Sequence, residues 1–165
     1  MDNIELNKCL KNNSTTACYF KGVFSWDNKP SITQYPHFYI VNTQTSKNPG
    51  EHWLVIFVLN SFTVEIFDSL ALLNSRFSYI YKYFKATFTN VLFNNQRLQP
   101  LETSTCGIHC LYYAYQKCKF KQNLNIVIRR IYIQDPYYND CKALKTVKKH
   151  FPISTKTLKN IIDRN

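Results

Sequence analysis

The sequence predicts an α+β fold in a single domain spanning residues 1–165, and three observations lead to this prediction. A chain of 165 residues has the length of one domain. Its 45% hydrophobic and 16% aromatic residues, with only three glycines and six prolines, can build a core and exclude a disordered or fibrous chain. The predicted elements run in the order helix, three strands, helix, strand and further helices, which is typical of the α+β class.

Capping residues and hydrophobic periodicity define each predicted element. A short helix after Asp2 or Asn3 carries Ile4, Leu6 and Leu10, and a loop with Gly22, Pro30 and Pro36 follows it. Strands are predicted at 37–41, 53–59, 62–67 and 91–98. Helices are predicted at 72–88, 106–120 and 124–131, and in the basic segments after Asp140 and Ser154. Strand 53–59 is apolar on both faces, so we expect it inside a sheet that helices cover on both sides.

The sequence carries no sign of membrane insertion or secretion. It contains no run of about 18 apolar residues that would form a transmembrane span. The segment Met1-Asp2-Asn3-Ile4-Glu5 lacks the basic and apolar regions of a secretory signal. We therefore expect an intracellular protein whose six cysteines are reduced.

The positive charge of the chain is concentrated in its last third. Residues 117–165 contain twelve Lys and Arg and three Asp and Glu, so they carry +9 of the net +11. Such a segment favours nucleic acid or an anionic membrane surface, and the alternative is a solvated basic face. Lys142, Lys145 and Lys149 would lie on one face of a helix. The candidate nucleic-acid-binding residues are Arg129, Arg130, Lys142, Lys145, Lys148 and Lys149, with no recognisable base-reading motif among them.

His52 and Asp68 are candidates for a catalytic base and its orienting acid. His52 precedes the most hydrophobic strand, and Asp68 ends the strand that pairs with it around Asn60 and Ser61. A two-residue turn would put the two side chains on opposite faces of the sheet, so we predict a three-residue turn or a bulge. Taken alone, His52 can be interpreted as a structural residue, and Asp68 as a carboxylate that caps the loop Ser69-Leu70.

Cys106 is the candidate nucleophile because a polar loop, residues 103–105, leads directly into a helix that begins at this cysteine. A helix N-terminus and a neighbouring imidazolium stabilise a thiolate. Gly107 would let a substrate carbonyl approach the backbone closely. The alternative is inert packing, which we expect for Cys110 and Cys118. Cys106, His109 and Cys110 have no second ligand pair at zinc-site spacing, so we expect no metal.

Gln99 and three residues around His52 complete the candidate site. Gln99 lies seven residues before Cys106, at the end of the last predicted strand, where its amide can donate to an oxyanion; Gln96 takes this role if that strand's register is shifted. Trp53 can roof a narrow cleft or pack in the core. The candidate substrate-binding residues are Gly50, Glu51, Trp53 and Gly107.

These residues resemble the adenovirus maturation protease (adenain) family, including proteases of adinto-like viruses and Polinton elements, and more distantly the proteases of ubiquitin-like modifiers. The similarity covers roughly residues 18–120 and has no counterpart after Phe120. The motifs that carry it are Tyr19-Phe20-x-Gly22, Ile40-Val41-Asn42-Thr43, Gly50-x-His52-Trp53, Phe67-Asp68, Gln99 and Cys106-Gly107.

The resemblance implies a papain-like fold of the adenain type, with a central mixed sheet flanked by helices. It assigns His52 as general base, Asp68 as its acid, Cys106 as nucleophile and Gln99 as oxyanion donor. Adenain has Glu at the position of Asp68. Adenain also tethers an activating viral peptide through a cysteine between the acid and the glutamine, whereas this chain has no cysteine between Cys18 and Cys106.

The leading hypothesis is a monomeric cysteine endopeptidase that processes capsid or core precursor proteins at small, glycine-containing sites. Its activators would be DNA, bound without sequence specificity, and a viral peptide; no cofactor is required for the chemistry, and no membrane is a partner. We expect it in the host nucleus or viral factory and in the virion. The alternatives are a deconjugating protease of ubiquitin-like modifiers and a non-enzymatic basic nucleic-acid-binding module.

Overall fold

The computed structural model describes residues 1–31 and 34–162, and their five strands form one sheet in the order β1-β2-β3-β4-β5. Strands β2, β3 and β4 are antiparallel neighbours, whereas β1 runs parallel to β2 and β5 runs parallel to β4. The sheet is therefore mixed. The strands are β1 Phe20–Ser25, β2 His37–Asn42, β3 Trp53–Val58, β4 Thr63–Phe67 and β5 Asn90–Phe93.

Helices flank this sheet, so the predicted α+β class with a central mixed sheet is confirmed. The helices are α1 Asn3–Asn12, α2 Ser78–Thr87, α3 Cys106–Phe120, α4 Leu124–Ile131, α5 Pro136–His150 and α6 Thr155–Ile162, with a short 3-10 turn at Trp26–Asn28. The predicted bounds of α3 and α4 match the structure. The last three residues of the predicted basic C-terminal part, 163–165, lie outside the described residues.

Strand β3 lies at the centre of the sheet and is covered on both faces, as its continuous apolar sequence predicts. Val55 and Phe57 face the larger core, which they share with residues of α1, α3, α4 and α5. Leu54 and Ile56 face a smaller core with residues of α2. The alternation of side chains along β3 thus divides one hydrophobic strand between two cores.

Several predicted features differ from the structure. The predicted loop after α1 contains strand β1, which pairs with β2 around Gly22, a residue with φ of +143°. Helix α2 begins at Ser78 instead of residue 72, because residues 69–77 form turns, with Ala71 in the left-handed region. Helix α1 buries Leu6, Cys9 and Leu10 as a stripe but leaves Ile4 exposed.

None of the helices within the described residues combines the length and apolar character needed to cross a bilayer. All six cysteines are free thiols.

Candidate active site

The β3–β4 hairpin brings His52 and Asp68 together. Leu59 N–H donates to the Thr63 carbonyl at 3.0 Å, which closes a three-residue turn at 60–62. The pairing of Val55 with Phe67 then puts positions 52 and 68 on the same face of the hairpin. His52 Nε2 lies 2.8 Å from Asp68 Oδ1. Of the predicted three-residue turn or bulge, the structure has the turn. Because this turn has an odd number of residues, the His52 and Asp68 side chains lie on one face and come into contact.

Asp68 is fully buried and holds both the histidine and its own loop. Its carboxylate accepts hydrogen bonds from the Leu70 N–H at 2.9 Å and the Leu72 N–H at 2.7 Å. The side chain of Asn94 binds the backbone N–H and carbonyl of Asp68. The Asp68 carboxylate therefore caps its own loop and binds His52 at the same time.

Cys106 is the first residue of α3 and is half-buried. Burial alone would raise the pKa of its thiol, but the interaction with His52 and the charge of its imidazole, with the Trp53 backbone, lower it below the usual value. Burial also opposes charge on His52, but Asp68 and Cys106 outweigh it and raise the His52 pKa to about 9. Both shifts favour a thiolate–imidazolium pair.

The orientation of the imidazole is fixed on two sides. Asp68 occupies Nε2, which leaves Nδ1 as the ring nitrogen available to other partners. Phe77 stacks on the ring with centroids 5.6 Å apart and planes at 10°. Such packing and hydrogen bonding hold a catalytic group in one rotamer.

Gln99 is buried beside Cys106's loop, whereas Gln96 is exposed. Its Oε1 accepts from Ser69 Oγ at 2.8 Å, and its Nε2 donates to the Thr103 carbonyl at 2.7 Å. The Gln99 amide nitrogen carries two hydrogens, and the hydrogen bond to the Thr103 carbonyl uses one of them. The prediction that Gln99 ends a strand is wrong: β5 ends at Phe93, since Asn94 turns away to bind Asp68.

A cavity of about 580 Å³ is lined by three of the four candidate substrate-binding residues, Gly50, Glu51 and Trp53, whereas His52, Asp68 and Cys106 do not line it. Trp53 also packs against the larger core, so both interpretations of its indole apply. Glu51 forms an ion pair with Arg76 and accepts from Gln44 Nε2 at 2.6 Å. The other lining residues are mostly amides and hydroxyls, including Ser25, Asn28, Thr45, Ser46 and Asn48.

The two glycines near the site have different surroundings. A Cβ on Gly50 would lie 2.7 Å from Asn42 Nδ2, so the loop before His52 requires glycine for close packing. Gly107 is buried, and a Cβ there would lie 3.1 Å from Met1 Cβ. The Met1 side chain therefore packs against Gly107, and the approach of a substrate carbonyl at Gly107 stays a prediction.

The candidate nucleic-acid-binding residues lie on two helices. Arg129 and Arg130 are exposed in the last turn of α4. On α5, the side opposite the buried residues Ala143 and Val147 carries the lysines: Lys145, Lys148 and Lys149 are exposed and Lys142 is partly exposed. Lys117 of the basic segment is not available to bind nucleic acid, because it is buried in an ion pair with Glu65 at 2.5 Å.

Sequence reasoning missed two residues that hold the site, Asn94 and Phe77. Neither residue lies in a motif. Asn94 binds the backbone of Asp68 and Phe77 stacks on His52, and both contacts join residues far apart in the sequence. A polar residue directly after the parallel strand β5 was the available signal for Asn94.

A carboxylate, an imidazole and a thiol thus come together beside the mixed sheet, with the thiol at the start of a helix. No family model and no curated protein matches the sequence. Among solved structures, the chain is similar to the crystal structure of the selenomethionine ASFV pS273R protease, with 20% identity and a TM-score of 0.39. The match covers 71% of this chain, which spans only 45% of that structure.

Proposed function

We propose that this chain is a cysteine endopeptidase. The observation that carries the proposal is the line from Asp68 through His52 to Cys106, in which the imidazole is 2.8 Å from the carboxylate and lowers the pKa of the thiol. A thiolate held in this way is a nucleophile at neutral pH.

The proposed reaction has two steps. The Cys106 thiolate attacks the substrate carbonyl carbon, the Gln99 amide donates to the resulting oxyanion, and the His52 imidazolium protonates the departing amine. A thioester to Cys106 remains. Water, deprotonated by His52, then attacks the thioester, Cys106 leaves as the thiolate, and the new carboxylic acid loses its proton to solvent, which restores the thiolate–imidazolium pair.

The proposed substrates are capsid or core precursor proteins of a virus or virus-like element, cut beside small residues such as glycine. The half-buried Trp53 next to His52 supports a narrow cleft. The adjoining cavity can hold several residues of an extended chain, and its amides and hydroxyls offer hydrogen bonds to a polar backbone or side chain.

Internally quenched peptides test the activity and the specificity together. We expect cleavage of peptides with glycine on both sides of the scissile bond and little cleavage of matched peptides with leucine or phenylalanine there. Parallel assays with ubiquitin-like C-terminal tails separate the deconjugase alternative. Preference for bulky flanking residues, or cleavage of the tails alone, contradicts the proposed specificity.

We expect Gln99→Ala to lower kcat by about 10²- to 10³-fold with little change in KM, because the amide acts on charge that develops after binding. The control is Gln96→Ala, which removes the amide of an exposed glutamine three residues away. Steady-state kinetics of both variants provide the measurement. An unchanged kcat in Gln99→Ala would assign this residue to structure alone.

We also propose that DNA binds the basic faces of α4 and α5 without base specificity and stimulates cleavage. Each lysine–phosphate contact contributes about 0.9 to the slope of log K against log salt, so Lys145→Gln and Lys149→Gln should each make the slope shallower by about that amount. Lys82→Gln, an exposed lysine on α2, is the matched control.

Fluorescence anisotropy with unrelated duplexes at several salt concentrations, run beside peptide cleavage, measures both effects. A flat salt dependence supports the solvated-surface alternative. Binding that leaves the cleavage rate unchanged refutes the stimulation. The non-enzymatic alternative requires binding together with a Cys106 that does not react with thiol reagents.

A further inference from the structure

A second acid–imidazole pair lies one turn below Cys106 on α3. His109 is fully buried, and its Nε2 lies 2.6 Å from Asp140 Oδ1 on α5. Its Nδ1 lies 3.1 Å from the hydroxyl of Tyr132, whose ring stacks on the imidazole. Neither His109 nor Asp140 takes part in the proposed chemistry, and Asp140 belongs to the segment with no recognisable motif.

Asp140 also holds the residue that precedes the nucleophile. Thr105 Oγ1 lies 3.0 and 2.9 Å from the two oxygens of the Asp140 carboxylate. Thr105 occupies the N-cap position of α3, where a threonine side chain ordinarily accepts from the helix backbone, yet it makes no capping hydrogen bond. The start of α3 is therefore anchored to α5.

The same network reaches Gln99. Thr105 has a single hydroxyl hydrogen, which the Asp140 carboxylate takes, so the one hydroxyl hydrogen of Thr103 is shared between Thr105 Oγ1 at 3.0 Å and the Pro100 carbonyl at 3.3 Å. The carbonyl of Thr103 in turn accepts from Gln99 Nε2 at 2.7 Å. Thr103 thus connects the two ends: its hydroxyl contacts Thr105, which Asp140 of α5 holds, and its backbone carbonyl binds the candidate oxyanion donor.

We propose that Asp140 and Thr105 are positioning residues that fix the loop 99–105, so that the Gln99 amide is directed at the oxyanion. This inference rests on the proposed endopeptidase function. An oxyanion donor stabilises the transition state only when it is held 2.7–3.1 Å from the developing charge, so small displacements of the loop lower the rate. A carboxylate is required at position 140, because it accepts from both Thr105 and His109.

Thr105→Val tests the proposal, since it replaces the hydroxyl by a methyl group of similar size. We expect kcat to fall about 10- to 100-fold with KM nearly unchanged, as for a misplaced catalytic donor. Thr105→Ser keeps the hydroxyl and should restore kcat. The pH dependence of Cys106 alkylation by iodoacetamide should be the same in both variants, because the thiolate–imidazolium pair is not altered.

A double-mutant cycle separates positioning from general destabilisation. In the Gln99→Ala background, Thr105→Val should cause little further loss of kcat, because the group through which it acts is already absent. Asp140→Asn should behave like Thr105→Val. Asp135→Ala, which removes the N-cap of the same helix but lies outside the network, should lower the Tm without lowering kcat.

Two results would overturn the proposal: an unchanged kcat in Thr105→Val, or an equal loss with and without Gln99. Both results require that the unsubstituted chain cleaves peptides. If the unsubstituted chain cleaves no peptide, the endopeptidase proposal itself fails, and the positioning proposal fails with it.

Discussion

Replacing Cys106 with alanine is expected to lower kcat for peptide hydrolysis by about 10⁶-fold, because the nucleophile of a triad acts as one unit with its base and only binding and oxyanion effects remain. Cys106 is half-buried at a helix start, and its interaction with His52 lowers its pKa. Cleavage of an internally quenched peptide, followed at enzyme concentrations that span several decades, measures the loss. Retained activity in Cys106→Ala would refute the mechanism.

Cys110→Ala is the matched control, since this cysteine lies one turn away on the same helix. It is fully buried, its thiol contacts the Trp53 carbonyl at 3.4 Å, and burial raises its pKa well above the usual value. A neutral thiol of this kind contributes packing. We therefore expect a lower Tm with kcat largely retained.

His52→Ala is expected to reduce kcat nearly as strongly as Cys106→Ala, and Asp68→Asn by about 10⁴-fold through a misoriented imidazole. Asp68→Asn also places an amide N–H₂ against a backbone N–H of Leu70 or Leu72, which costs about 1–3 kcal/mol for an unsatisfied buried donor. Kinetics and thermal unfolding of each variant separate the two effects. A His52→Ala variant with normal kcat would remove the general base from the mechanism.

The pH dependence follows from the two pKa shifts. Below the lowered pKa of Cys106 the thiolate is protonated, and above about pH 9 the His52 imidazolium loses the proton that the leaving amine needs. We expect a bell-shaped profile of kcat/KM with its alkaline limb near pH 9. In His52→Ala, burial raises the pKa of the Cys106 thiol without His52 to lower it, so alkylation of Cys106 should shift to higher pH. An unshifted alkylation profile would contradict the pairing of Cys106 with His52.

Local sequence patterns were sufficient to predict the two elements that carry the proposed triad. The polar loop before Cys106 and the helical periodicity after it gave the bounds of α3. Side-chain alternation predicted a three-residue turn or a bulge if His52 and Asp68 are to share a face, and the structure has the turn. These features rest on interactions between residues close in the sequence or joined by a single hairpin.

Long-range contacts decided the remainder. The sequence alone determined the α+β class, the central buried strand and the candidate triad. Only the tertiary structure decided that β1 pairs in parallel with β2, that Asn94 holds Asp68, and that Asp140 of α5 anchors the loop before Cys106. The reason is physical: parallel pairing and loop-to-helix hydrogen bonds join residues far apart in the chain, so neither hydrophobic period nor capping pattern encodes them.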